Sequence, residues 1–186
     1  TDCAAEFIKN RDSYILKSPD GTLEVTVSGG KLTYSAAVGK TPVIEPSEIG
    51  LLVQGGVNLG EDAVLGEPKT DSREEIRRDP DTETDITDWH INYIFPVRSK
   101  KFRYSLEVRI WNDGFGFRLL FDKNTGLLVA DEPTQFNVPG DTVCRYQTDL
   151  KKMQGKTLTK KTSALPSGEI FSCMTAFEFP EKDIYT

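Results

Sequence analysis

Tyr104-Ser-Leu-Glu-Val-Arg-Ile-Trp-Asn-Asp-Gly-Phe-Gly-Phe-Arg-Leu-Leu-Phe121 is the stretch whose reading decides the fold. Tyr104, Leu106, Val108 and Ile110 alternate with Ser105, Glu107 and Arg109. A two-residue period puts the apolar set on one face of a pleated strand and the polar set on the other. Asn112-Asp113-Gly114 supplies a tight turn, and Phe115, Phe117, Leu119 and Phe121 begin a return strand. The stretch predicts an antiparallel hairpin.

The same pattern recurs on either side. Trp89 to Val97 reads as the preceding strand, with Ile91, Tyr93 and Phe95 in phase, and Pro96 predicts its end or a sheet edge. Leu23, Val25 and Val27 alternate with Glu24, Thr26 and Ser28; Gly29-Gly30 turns the chain, and Leu32, Tyr34 and Ala36 continue on a partner strand. Before them, Tyr14 to Lys17 meets a Ser-Pro-Asp-Gly turn at Ser18 to Gly21. Shorter strands are predicted at Val43-Ile44, Ile49 to Val53, Leu127 to Ala130, Thr134 to Val138 and Met174 to Phe179. Ser72 with Glu75 fits a helix capping box, but Arg73 to Arg78 offers only Ile76 as an apolar residue, so a helical turn and a polar strand both fit. About ten short strands with polar turns predict an all-β fold, an antiparallel sandwich, formed as a single domain over 1–186.

Composition narrows the function classes. The 186 residues are 37% apolar, enough for one sizeable core, and ten Phe and six Tyr argue against a disordered chain. Mean hydropathy is −0.42, and no apolar run approaches the ~20 residues of a membrane helix, so no membrane span is expected. A net charge of −6 disfavours nucleic acid, whose binding is driven by Lys and Arg. The charge is uneven: residues 61–88 hold eleven acids and four bases, and residues 145–161 hold six bases and one acid. Cys3, Cys144 and Cys173 lack zinc-site spacing and leave either one bridge plus a free thiol or three thiols. Thr1 is not a natural start, so we expect a trimmed chain, with a removed export signal as one cause.

Residues that could carry chemistry are few. His90 is the single histidine, and no G-x-S-x-G elbow accompanies it, which points to a structural or surface role. Asp79, Asp81, Glu83 and Asp85 alternate in an acidic run, but Thr84 and His90 stand where a calcium loop of the EF-hand type needs Gly and Glu. Among twenty-nine acids no pair stands out as a glycosidase pair. Gly55, Gly56 and Gly60 form no phosphate loop. Lys151, Lys152, Lys156, Lys160 and Lys161 lack the interleaved aromatics of a nucleic-acid platform. We therefore assign no catalytic residue and no metal ligand. Trp111 is the one contact candidate: it is in phase with Glu107 and Arg109, opposite the core face, where water, a sugar or another domain could meet it.

Taken in order, several segments resemble the N-terminal domain of glycoside hydrolase family 97. They are Ser18-Pro-Asp-Gly-Thr-Leu-Glu-Val-Thr-Val27, Gly30-Lys-Leu-Thr-Tyr-Ser35, Pro42-Val-Ile-Glu-Pro-Ser47, Ile49-Gly-Leu-Leu52, Leu106 to Arg118, and Asp131-Glu-Pro-Thr-Gln-Phe136. The resemblance spans about 14–146. It implies a β-super-sandwich of the galactose-mutarotase type that precedes a catalytic (β/α)₈ barrel in an exported, periplasmic enzyme of bacterial carbohydrate metabolism. In the family the barrel cleaves α-glucosides or α-galactosides with calcium near its site. This chain is too short to hold sandwich and barrel together. Cys144 stands where the family commonly has tryptophan, we match no family stretch within 147–186, and no calcium ligand carries over. The expected function is a non-catalytic support and docking domain whose partner is the barrel or another chain. A free-standing carbohydrate-binding module using Trp111 is the first alternative, and a mutarotase-like enzyme using His90 the second.

Overall fold

The computed structural model describes residues 6–123, 126–149, 151, 155–172, 175–179 and 184–185. Cys3, Lys152, Cys173 and Met174 lie outside the described residues. Contacts cluster into two compact units, residues 1–136 and 137–186, within the span read from sequence as one domain.

The first unit opens with a five-stranded antiparallel meander: β1 (Phe7–Asn10), β2 (Ser13–Lys17), β3 (Leu23–Ser28), β4 (Thr33–Val38) and β5 (Thr41–Glu48), hydrogen-bonded in that order. Short strands β6 (Leu52–Val53) and β7 (Val57–Asn58) follow, then β8 (Ala63–Leu65), β9 (Lys69–Arg78), β10 (Asp85–Ser99), β11 (Phe102–Trp111), β12 (Phe115–Leu120) and β13 (Val129–Asp131). The second sheet runs β12-β11-β10, and both β8 and β9 pair with the far side of β10. A third, small sheet is ordered β13-β6-β7.

Alternation puts Tyr14, Leu16, Val25, Val27, Tyr34 and Ala36 of the first sheet, and Ile91, Tyr93, Phe95, Leu106, Val108 and Ile110 of the second, in a shared core where all are buried. Rings interlock across it: Tyr14 meets Phe95 edge-on at 5.1 Å between centroids, and Tyr34 meets Phe117 at 4.9 Å. The Tyr93 hydroxyl donates to the Lys17 carbonyl oxygen at 3.0 Å. Each fully buried aliphatic or aromatic side chain contributes about 1.5–3 kcal/mol, so this layer dominates the stability of the unit. The fold is all-β and antiparallel, as the alternation predicts, and agrees with the super-sandwich that the family resemblance implies.

Three predicted elements need correction. Pro96 does not end its strand: β10 continues to Ser99. The Pro96 carbonyl accepts from Gly66 N at 2.8 Å, on the side of β10 that faces β8 and β9, so the missing N–H points the same way. It falls between the last pair with β9, Ile94↔Lys69, and the first with β8, Val97↔Leu65. The proline therefore costs the β10–β11 ladder nothing. Thr134 to Val138 forms no strand; Gln135 N bonds the Glu48 carbonyl and Thr134 Oγ1 caps Gly50 N, single tethers beside Pro133 rather than a ladder. Ile49 to Val53 shortens to the two residues of β6. Of the two forms that fit Arg73 to Arg78, the strand is adopted, as part of β9.

The second unit is a four-stranded antiparallel sheet ordered β15-β14-β16-β17, built from β14 (Val143–Tyr146), β15 (Leu158–Lys161), β16 (Ala176–Phe179) and β17 (Ile184–Tyr185), with a 3₁₀ turn at Thr162–Ala164. Cys144 and Tyr146 are its buried side chains on β14. Cys144 is a free thiol whose pKa is pushed up by burial, which makes it a packing group rather than a nucleophile. No helix among the described residues is long and apolar enough to cross a membrane.

Candidate functional site

Cross-strand register assembles the outer face of the second sheet. His90 lies opposite Trp111, Asn92 opposite Arg109, Ile94 opposite Glu107, and Glu107 opposite Arg118. On the other side of β10, Asp88 lies opposite Glu75, and His90 opposite Arg73. Because directly paired residues share a face, one polar surface runs over β9 to β12.

Trp111 anchors it. Its indole Nε1 donates to Asp88 Oδ1 at 2.8 Å, and the same oxygen lies 2.7 Å from His90 Nδ1. Asp88 Oδ2 takes Arg77 Nη2 at 3.2 Å. These contacts, the Trp111 bond first and the His90 bond next, hold the Asp88 carboxyl below its ordinary range. An ionised carboxylate only accepts, so His90 carries its proton on Nδ1. The Trp111 ring sits 5.7 Å from the His90 ring, and the Arg109 guanidinium 5.7 Å from the Trp111 centroid. Beside them, Arg109 Nε donates to Asn92 Oδ1 at 2.7 Å, and Glu107 pairs with both Arg118 and Arg109.

An oriented Asp–His pair resembles half of a hydrolytic relay. Here it is closed. His90 is 1% exposed, its Nε2 has no hydrogen-bond partner among the described residues, and it lines none of the surface hollows beside Trp111. The geometry therefore gives no support to a mutarotase-type role for His90, whose ring would have to touch the sugar.

Trp111 is half-buried and borders two hollows. One, of about 220 Å³, is lined by Glu107, Arg109, Trp111, Gly116, Phe117 and Arg118. The other, of about 530 Å³, lies toward the turn of the β9–β10 hairpin, where Arg77, Ile86, Asp88 and Asp113 surround it.

The acidic run forms the tip of that hairpin. Asp79 Oδ1 accepts from Asp81 N at 2.9 Å, and Asp79 Oδ2 from Thr82 Oγ1 at 2.7 Å. The Thr82 bond, with the backbone bonds behind it, lowers the Asp79 pKa. Its carboxylate is used in closing a turn. Among the described residues no group of three or more His, Cys, Asp or Glu gathers that could hold a metal ion. Lys160 and Lys161 lie on β15, and Lys161 pairs with Asp141 at 3.7 Å.

Comparison with known proteins decides the family. The glycosyl-hydrolase 97 N-terminal family matches residues 16–185. The chain belongs to that family. The match runs through 147–185, where the sequence alone showed no family stretch. A retaining α-galactosidase from Bacteroides thetaiotaomicron is 27% identical over 135 residues, covering 72% of this chain and 20% of that protein. A glycoside hydrolase family 97 enzyme from Pseudoalteromonas sp. strain K8, solved with acarbose, superposes with a TM-score of 0.69 at 18% identity over 79% of this chain and 24% of its own. A β-arabinopyranosidase gives 0.64 at 17% identity, over 76% of this chain and 24% of that one. The chain thus spans about a fifth to a quarter of these relatives and corresponds to the N-terminal domain of family 97 glycoside hydrolases.

Proposed function

We propose that this chain is a non-catalytic support and docking domain for the catalytic (β/α)₈ barrel of a family 97 enzyme acting on α-glucosides or α-galactosides. One observation carries the reading: the N-terminal family covers residues 16–185, while the chain spans only 20% of the retaining α-galactosidase it is similar to. The local chemistry agrees, since His90 is sealed from solvent and the Asp79 carboxylate is engaged in closing its own turn.

The surface we assign to docking is the free end of the β9–β10 ribbon. β10 pairs with β11 from His90 onward, so Asp85 to Trp89 have only β9 beside them. An isolated two-stranded ribbon is marginal in water. This one also exposes Ile86 (51%) on one face and Ile76 (74%) on the other, apolar side chains that a partner gripping the ribbon would cover. Calcium belongs in this reading to the catalytic domain. Export to the periplasm of a bacterium completes it, and fractionation of the source cells tests that part.

Deletion of residues 1–186 from the parent enzyme tests the reading. We expect a lower melting temperature for the barrel and reduced turnover of an aryl α-glycoside. A barrel as stable and as active without the domain would overturn it.

A further inference from the structure

We propose that the outer face of the second sheet carries a shallow subsite for one neutral pyranoside ring, seated beside the Trp111 indole over Gly116. This goes beyond the support role and does not depend on it.

Three features of the smaller hollow point to this ligand. The first is a fixed aromatic ring. Trp111 Nε1 is held by Asp88, and Asp88 is held in turn by His90 and Arg77, so the ring is positioned before any ligand arrives. Pre-positioning lowers the ordering cost of binding. The C–H face of a pyranose is apolar and matches an indole, whose body is apolar and whose polar tip is already satisfied. The second is Gly116. It pairs with Arg109 in the ladder, and a side chain there would meet nothing within 4 Å. That missing side chain leaves open space next to the ring. The third is the set of planar polar groups at the rim. Glu107, only 6% exposed, is fixed between Arg118 and Arg109. Sugar hydroxyls donate and accept, and a carboxylate beside guanidinium groups offers both partners.

The same features disfavour other ligand classes. Glu107 lies between Arg109 and Arg118 and pairs with both, and Asp88 takes Arg77, so each nearby guanidinium already faces a carboxylate rather than standing free for a phosphate. The volume of about 220 Å³ suits a single ring and not a drug-sized or nucleotide ligand.

The experiment is a fluorescence titration of the 186-residue chain carrying Trp89→Phe, which leaves Trp111 as its single tryptophan reporter. Maltotriose and raffinose serve as glucose- and galactose-bearing probes. We expect a saturable change with at least one of them. Gly116→Val in the same background fills the hollow; its backbone needs no positive φ, and valine suits a strand, so circular dichroism and melting should be retained. Affinity should fall at least about tenfold. Absence of a saturable response to both sugars overturns the proposal. So does a Gly116→Val chain that binds as tightly as its parent.

Discussion

Asp88 concentrates the polar energetics of the outer face in one carboxylate, which accepts from Trp111 Nε1 and His90 Nδ1 while facing Arg77. Alanine at this position leaves two ring N–H groups without acceptors, one of them on a buried histidine. Leaving a buried donor unsatisfied costs about 1–3 kcal/mol. Asp88→Ala is therefore expected to lower unfolding free energy by about that amount in a urea titration, with the strand content unchanged. Two tyrosines give a pH signature. Burial pushes the phenols of Tyr34 and Tyr104 up to about 12, and they donate to the Gln135 and Leu59 carbonyls. A raised folded pKa means that the unfolded chain loses these protons first. Their stabilising contribution is complete below the ordinary value of 10.0 and is lost as the pH climbs toward about 12. A pair of tyrosines should titrate late in near-ultraviolet absorbance, together with alkaline unfolding.

Elements were legible where a single period ran uninterrupted. Leu106, Val108 and Ile110 are buried as their alternation requires, and Leu106→Ala should cost about 2–5 kcal/mol by calorimetry, since its side chain is fully enclosed. Pro96 misled because a proline reports a missing donor but not which side of the strand it faces; that depends on where β9 stops and β8 starts. β9 escaped the apolar pattern because both of its faces are wet, so charged residues alternate with no buried partner to mark a period. At the site, the phase of Trp111 was readable from its own strand. Its partners Asp88 and His90 were not, because the register joining β10 to β11 is set by pairing across the sheet. The ribbon itself yields a prediction. Ile76→Asp with Ile86→Asp removes two exposed side chains and should leave the melting of the isolated chain within about 0.5 kcal/mol of the parent. In the full-length enzyme the same pair should lower the melting temperature, because the proposed docking sets the ribbon against the barrel.

At the scale of the whole molecule, a sheet-on-sheet core accounts for the first unit, and the chain's few chemical groups are occupied with one another. Family membership over residues 16–185 bears out the resemblance that the ordered segments between Ser18 and Phe136 carry, while no catalytic signature is legible among them. The most direct measurement is the release of nitrophenol from nitrophenyl α-glucoside and α-galactoside by the 186-residue chain, set beside the full-length parent. The account predicts turnover by the parent and none by the chain above the buffer rate. Sustained hydrolysis by the chain itself, lost on His90→Ala while folding is retained, would contradict it.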